Sequence, residues 1–212
     1  LGAIEIGGYV RLLSRDAKWD IAKKLLNEIV LGDLDYSCID DSDLQKRLQE
    51  SDPSCDYTLC TSTLATLGSL VDGRWALDKG RMASTAAHLF FRENTKKFHA
   101  KDSFLTMWEL SLPRNVPADH SALAGVALSV AQNPGEKEEF FTYVPVTEAG
   151  ETVEARLRFA FAAKSKLSLE ELRPYLAIKE GEREGEGENV EGRLLVEYTS
   201  SVDGAFIFKT GK

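Results

Sequence analysis

Three histidines, His88, His99 and His120, are the first places to look for acid–base or metal chemistry, because imidazole titrates near neutrality and ligates metals. They stand apart, with no HxxxH or HxH spacing to set two rings on one ion. His88 is expected on a helix face or half-buried. Cys38, Cys55 and Cys60 are an odd number without a CxxC pair. They favour a reducing compartment and inert thiols over a disulfide framework or a zinc site. Gly185, Gly187 and Gly192 imitate a phosphate loop. They lie among glutamates, which repel phosphate, and no strand precedes them. The surrounding run, 180–192, is acidic, glycine-rich and nearly devoid of apolar residues, so it reads as a solvated, mobile loop and not as a cation site. With no nucleophile beside a base, no metal set and no phosphate loop, the expectation is a non-enzyme without cofactor or metal.

The remaining chemistry is positive charge. Arg92, Lys96, Lys97, His99 and Lys101 cluster at the end of one predicted helix and the turn after it. Arg156, Arg158, Lys164 and Lys166 form a second set. Two readings stay open. Cations are favoured at helix C-termini by the dipole, which makes these solvated helix faces. Alternatively Arg92, Lys96, Lys97, Lys101, Lys164 and Lys166 contact DNA phosphates. The chain as a whole argues against a life of phosphate neutralisation, with a net charge of -8 and a pI near 5.0.

Hydrophobic residues make up 43% of the chain and charged ones 28%, as in ordinary globular proteins. The apolar runs are far short of the roughly 18 residues of a membrane span, so no membrane partner is expected. Leu1 to Leu13 has neither the basic start nor the apolar stretch of a signal peptide. The absence of an initiator Met leads to the expectation of a longer parent protein.

The elements follow a period. Ile6-Gly7-Gly8-Tyr9-Val10-Arg11-Leu12, Val71-Asp72-Gly73-Arg74-Trp75-Ala76-Leu77 and Val202-Asp203-Gly204-Ala205-Phe206-Ile207-Phe208 are each a turn followed by an apolar strand. Gly8, Gly73 and Gly204 are 65 and 131 residues apart, and Asn133-Pro134-Gly135 with Phe140 to Val144 fills the vacant position. A unit of about 65 residues is close to the lower limit for an independent core, so neighbours should lean on one another.

Within each unit the periodicity predicts three helices and a hairpin. The first has helices Asp16–Leu31, a short one opened by a Ser42/Gln45 capping box, and Cys55–Leu70. The second has Arg81–Phe98, a helix capped by Asp102 that ends at Pro113, and Asp119–Val130, with a strand over 140–146. The third has Thr152–Ala163, a helix opened by a Ser168/Glu171 box and broken near Arg173 by Pro174, and Val190–Ser200. Trp75, Trp108 and Phe140-Phe141 are expected core aromatics. The fold class is mainly α with small β-hairpins, as tandem winged-helix units: a wing remnant over 1–13, then units over 14–79, 80–148 and 149–212.

A groove-reading helix presents Arg, Lys, Asn or Gln to base edges. Tyr57 to Val71 has no Lys or Arg, Asp119 to Val130 offers only His120, and Val190 to Ser200 sets Arg193 against Glu191 and Glu197. Specific base readout is disfavoured, and apolar docking against protein is favoured.

Several segments carry a family resemblance. They are Ile6-Gly7-Gly8-Tyr9-Val10-Arg11-Leu12, Phe104-x-x-x-Trp108-x-x-Ser111-Leu112-Pro113, Gly125-Val126-Ala127-Leu128 and Leu169-Glu170-Glu171-Leu172-Arg173-Pro174-Tyr175. In this order they resemble the C-terminal half of "Dcc", the sister-chromatid-cohesion subunit of the alternative, RFC-like clamp loader. The resemblance implies a nuclear, non-catalytic subunit that joins companion subunits of that loader. It implies winged helices that meet DNA polymerase epsilon's catalytic region, single- or double-stranded DNA, or both, and act on PCNA indirectly. The alternative is a nucleic-acid-binding tandem winged-helix protein of the transcription machinery.

Overall fold

The computed structural model describes residues 3–6, 9–12, 14–53, 57–131, 139–176, 190–202 and 204–209. The chain is mainly helical with small antiparallel hairpins, as the patterning predicts. It divides into two compact units, Leu1–Thr95 with Leu105–Ala122 and Lys96–Phe104 with Leu123–Lys212.

In the first unit, β1 (Ala3–Ile6) and β2 (Tyr9–Leu12) form the expected N-terminal hairpin. Its Gly7-Gly8 turn lies outside the described residues. Helix α1 (Arg15–Leu31) starts where Ser14 Oγ accepts the Ala17 N–H at 3.1 Å, satisfying one orphan donor of the first turn. Ile21, Ala22, Leu25, Leu26 and Ile29 form its buried stripe. Then follow β3 (Ile39–Asp40), α2 (Asp41–Ser51), α3 (Tyr57–Leu67), β4 (Gly68–Val71) and β5 (Arg74–Leu77), with sheet order β3-β5-β4.

Three expectations are corrected in this unit. The cap of α2 is Asp40 and not Ser42: the Asp40 carboxylate accepts the Ser42 and Asp43 N–H groups at 3.0 and 3.1 Å, and Ser42 Oγ also donates to it. Helix α3 stops at Leu67, so Leu70 is not an inward helical residue but a strand residue, 49% exposed. Gly68 explains the change. A Cβ there would sit 2.2 Å from the Ala76 carbonyl oxygen, and only glycine lets the chain press against β5. Helix α4 (Lys79–Glu93) ends five residues before Phe98, because Asn94 folds back and both its backbone N–H and Nδ2 donate to Phe90 O.

The expected turn at Asp72-Gly73 is present. Both residues have positive φ, +50° and +74°, which gives the two-residue turn whose twist matches a hairpin. Residues Leu105 to Leu110 of α5 (Lys101–Leu110) belong to this unit. Trp108 is fully buried there and donates Nε1–H to Ala83 O of α4 at 2.9 Å. Asp102 lies inside the first turn of α5, which begins at Lys101, and does not precede it as a cap.

The second unit holds β6 (His99–Ala100), β7 (Ala127–Val130) and β8 (Phe140–Tyr143), in sheet order β6-β8-β7. The helix expected over Asp119–Val130 is absent: a 3-10 turn, His120–Leu123, gives way to strand β7. Gly125 at φ +72° ends the helical path, since a Cβ there would also meet Pro174 at 2.9 Å. The return strand stops at Tyr143, and Val146–Glu148 forms a second 3-10 turn. The turn at 133–135 lies outside the described residues.

Helix α6 (Val153–Ala163) is capped by Thr152, whose hydroxyl accepts the Ala155 N–H at 3.2 Å. Helix α7 (Leu169–Leu176) opens with the expected box. Glu171 N–H donates to Ser168 Oγ at 3.3 Å, and Ser168 N–H donates to the Glu171 carboxylate at 2.9 Å. The expected break is not found: α7 runs through Pro174 to Leu176. Pro174 removes the one ladder bond its N–H would make back to Glu170, and the described helix continues past it without a break. The acidic loop at 180–189 lies outside the described residues.

Helix α8 (Val190–Tyr198) is shorter than expected. Residues 199–202 instead form β9 (Thr199–Val202), paired with β10 (Ala205–Phe208). Leu167 joins this hairpin through two backbone hydrogen bonds with Phe206, at 3.1 and 2.8 Å. Leu128, Val144, Leu157, Leu167, Leu172 and Tyr175 build the core, and Tyr175 OH donates to Val144 O.

Periodicity did not show one feature. After α1, α4 and α6 a short extended piece pairs with the hairpin that follows: β3 on β5, β6 on β8 and Leu167 on Phe206. Two residues are too few for a period-2 signal. The resulting order of helix, short strand, two helical segments and hairpin is compatible with winged-helix units.

Candidate functional site

In the order of a winged helix, α3 occupies the place of the helix that would enter a DNA groove. Between Tyr57 and Val71 it and the following strand carry no Asp, Glu, Lys or Arg. Four of its hydroxyls are also turned to the helix's own backbone. Thr61, Ser62, Thr63 and Thr66 donate to the carbonyls of Thr58, Leu59, Leu59 and Thr63 at 2.7–3.1 Å. Such a face offers a base edge or a phosphate few donors. Between α5 and β7 the helical element is only a 3-10 turn, His120–Leu123.

The six cations expected to contact DNA do not form one free set. Arg92 lies in the first unit, pairs with Asp16 and covers the Trp19 ring. Lys101 pairs with Glu139, and Lys164 with Glu171 at 2.6 Å. Lys96, Lys97 and Lys166 are exposed and form no ion pair with a described residue; Lys97 sits over the Phe98 ring at 5.2 Å. Two members of the wider sets are buried. His99 has its Nε2 3.0 Å from Lys96 O, and Arg156 donates Nε–H to Tyr175 O at 2.9 Å.

His88 is 8% exposed. Its ring lies 4.9 Å from the Trp19 indole, and Arg92 stands one turn further along α4 over the same indole. Burial, helped by the Arg92 charge, lowers the His88 pKa to about 4, so the ring is neutral at pH 7. With Asp16–Arg92 and Lys23–Glu93 it fastens α4 onto α1 within the first unit.

A second polar cluster locks the hairpin. Trp75 Nε1–H donates to the Asp41 carboxylate at 2.5 Å, and Tyr57 OH donates to the same oxygen. Burial first, then Asp41, pushes the Tyr57 phenol well above its ordinary pKa.

Cys38 is exposed and accepts a hydrogen bond from Arg74 Nη1 at 3.1 Å, Cys60 is buried, and Cys55 lies outside the described residues. Among the described residues no group of three His, Cys, Asp or Glu is placed to hold a metal ion. Among them, no helix is long and apolar enough to cross a membrane.

The surface that sequence reasoning missed is the outer side of β4, where Leu70 and Val71 are exposed. Assigning Leu70 to a helix hid it. The uncharged run from Tyr57 to Val71 was its one visible signal.

Comparison with curated proteins gives no match. The family model of sister chromatid cohesion protein Dcc1 matches residues 1–176 of the 212, with the Phe104-to-Pro113 segment, Gly125 and α7 inside the match. The chain therefore belongs to the Dcc1 family, whose role is in sister chromatid cohesion.

Proposed function

We propose that this chain is a non-catalytic, nuclear docking subunit of the alternative, RFC-like clamp loader. Its repeats are winged-helix units over 14–79, 80–148 and 149–212. They hold the loader to the catalytic region of DNA polymerase epsilon and so serve PCNA loading. The observation that carries the reading is α3: a helix in the groove-reading position without a charged side chain, with the hydroxyls of Thr61, Ser62, Thr63 and Thr66 spent on its own backbone. Interface cores are depleted of charge in the same way.

A second reading, direct contact with DNA, rests on Lys96, Lys97 and Lys166, which are exposed and form no ion pair with a described residue. Fluorescence anisotropy with single- and double-stranded DNA separates the two. Under the docking reading, the double substitution Lys96→Glu with Lys97→Glu leaves the weak DNA signal unchanged. Under the DNA reading it weakens binding to every sequence alike and flattens the salt slope.

A further inference from the structure

Strand β4 is the outer strand of the sheet β3-β5-β4, and no described strand pairs with its far edge. Proteins ordinarily blunt such edges with a charged side chain, a proline or a bulge, because an open row of backbone groups recruits other strands. Gly68-Ser69-Leu70-Val71 has none of these, and its shortness, 4 residues, is its one protection. Its four pairs with β5, from Gly68↔Leu77 to Val71↔Arg74, are continuous.

The turn sets which groups face outward. A two-residue turn with positive φ at Asp72 and Gly73 makes Val71 and Arg74 the hydrogen-bonded pair. Leu70, next along, then aims its N–H and C=O away from β5. The Leu70 side chain is half exposed beside them, and Val71 is 57% exposed on the other face. Strand β7 is also an outer strand, but Ala127, Leu128 and Val130 are buried.

We propose that the edge of β4 receives an extended, uncharged strand of a protein partner, which lengthens the sheet by strand addition. This rests on the docking reading and names its point of contact. Charge selects the occupant. The run from Tyr57 to Val71 has no cation to hold a phosphate or an acidic tail, so a neutral polypeptide is the complement that costs no unpaired charge. A second copy of the chain is a poor occupant. Four residues span about 13 Å at ~3.3 Å each, too short an edge to bury the roughly 800 Å² per partner of a stable pair.

The test uses the whole chain and the catalytic region of DNA polymerase epsilon as the probe, with calorimetry for affinity. Leu70→Pro removes the outward N–H, and proline is tolerated on an edge where the N–H faces solvent. Leu70→Lys keeps the N–H but puts a charge on the edge, and it serves if the proline variant does not fold.

The expected result is a loss on the order of tenfold in affinity for each variant, from the lost ladder hydrogen bond in Leu70→Pro and from the charge placed against the added strand in Leu70→Lys, with an unchanged melting temperature. The Leu70 amide should also gain exchange protection in the wild-type complex. Equal affinity of folded Leu70→Lys and wild type overturns the proposal. A wild-type chain that does not bind the probe overturns the docking reading and this proposal with it. A dimer of the free chain that Leu70→Lys abolishes gives the edge to a second copy and overturns the choice of occupant.

Discussion

Lowering the pH should loosen the α1–α4 packing through one residue. In the unfolded chain His88 titrates near its ordinary value of 6.5, whereas in the folded protein its pKa is about 4. The unfolded state therefore binds the extra proton between those values. The stability owed to a neutral His88 is complete above about pH 6.5 and is lost as pH falls toward 4. Integrating over that window gives about 2 kcal/mol lost between about pH 7.5 and 5, and ~3 kcal/mol by about pH 4.

The groups facing His88 do not reverse the sign. Arg92 opposes a second cation, and Asp16 is already engaged with Arg92. The assay is urea unfolding of wild type and His88→Leu across about pH 5 to 7.5, followed by Trp fluorescence. Leucine fills a similar volume and cannot titrate, so the difference between the two curves isolates the proton. Curves that stay parallel over the whole range would refute a neutral, buried His88.

Other consequences follow from single contacts. Asp41→Ala leaves Trp75 Nε1–H without its acceptor and Tyr57 OH with only the Asp41 backbone carbonyl, and should cost about 1–3 kcal/mol in urea melts. Trp108→Ala empties a fully buried site and releases Ala83 O, with a loss of about 3–5 kcal/mol by the same measurement. Gly68→Ala must push β4 away from β5, because its Cβ would lie 2.2 Å from a carbonyl oxygen; a lowered melting temperature is expected, and an unchanged one would contradict the register.

The parts of this molecule that were legible are those with period or punctuation. The stripe of α1, the Ser168/Glu171 box and the Asp72-Gly73 turn all depend on neighbours within one or two turns, and they stand where the residues place them. The losses came where a longer-range contact decided. Asp40 took the cap that Ser42 was expected to supply, since it lies at the end of β3, and no helix pattern marks a two-residue strand. Apolar spacing alone could not tell Val126 to Val130 from a helix. Gly125 turns the chain at φ +72°, and Ala127–Val130 then pairs with β8 as a strand. The cationic sets were legible as charge but not as contacts: Asp16, Glu139 and Glu171 come from elsewhere in the chain and occupy Arg92, Lys101 and Lys164, half of the six expected to meet DNA.

The measurement that goes straight to docking is a side-by-side titration of the wild-type chain against polymerase epsilon's catalytic region and against a DNA duplex. Each is run at about 50 and about 200 mM salt, where phosphate-driven binding falls steeply. We predict polymerase binding that changes little between the two, and DNA binding that is weak at the lower salt and gone at the higher. Tight DNA binding with a steep slope and no affinity for the polymerase would contradict the account.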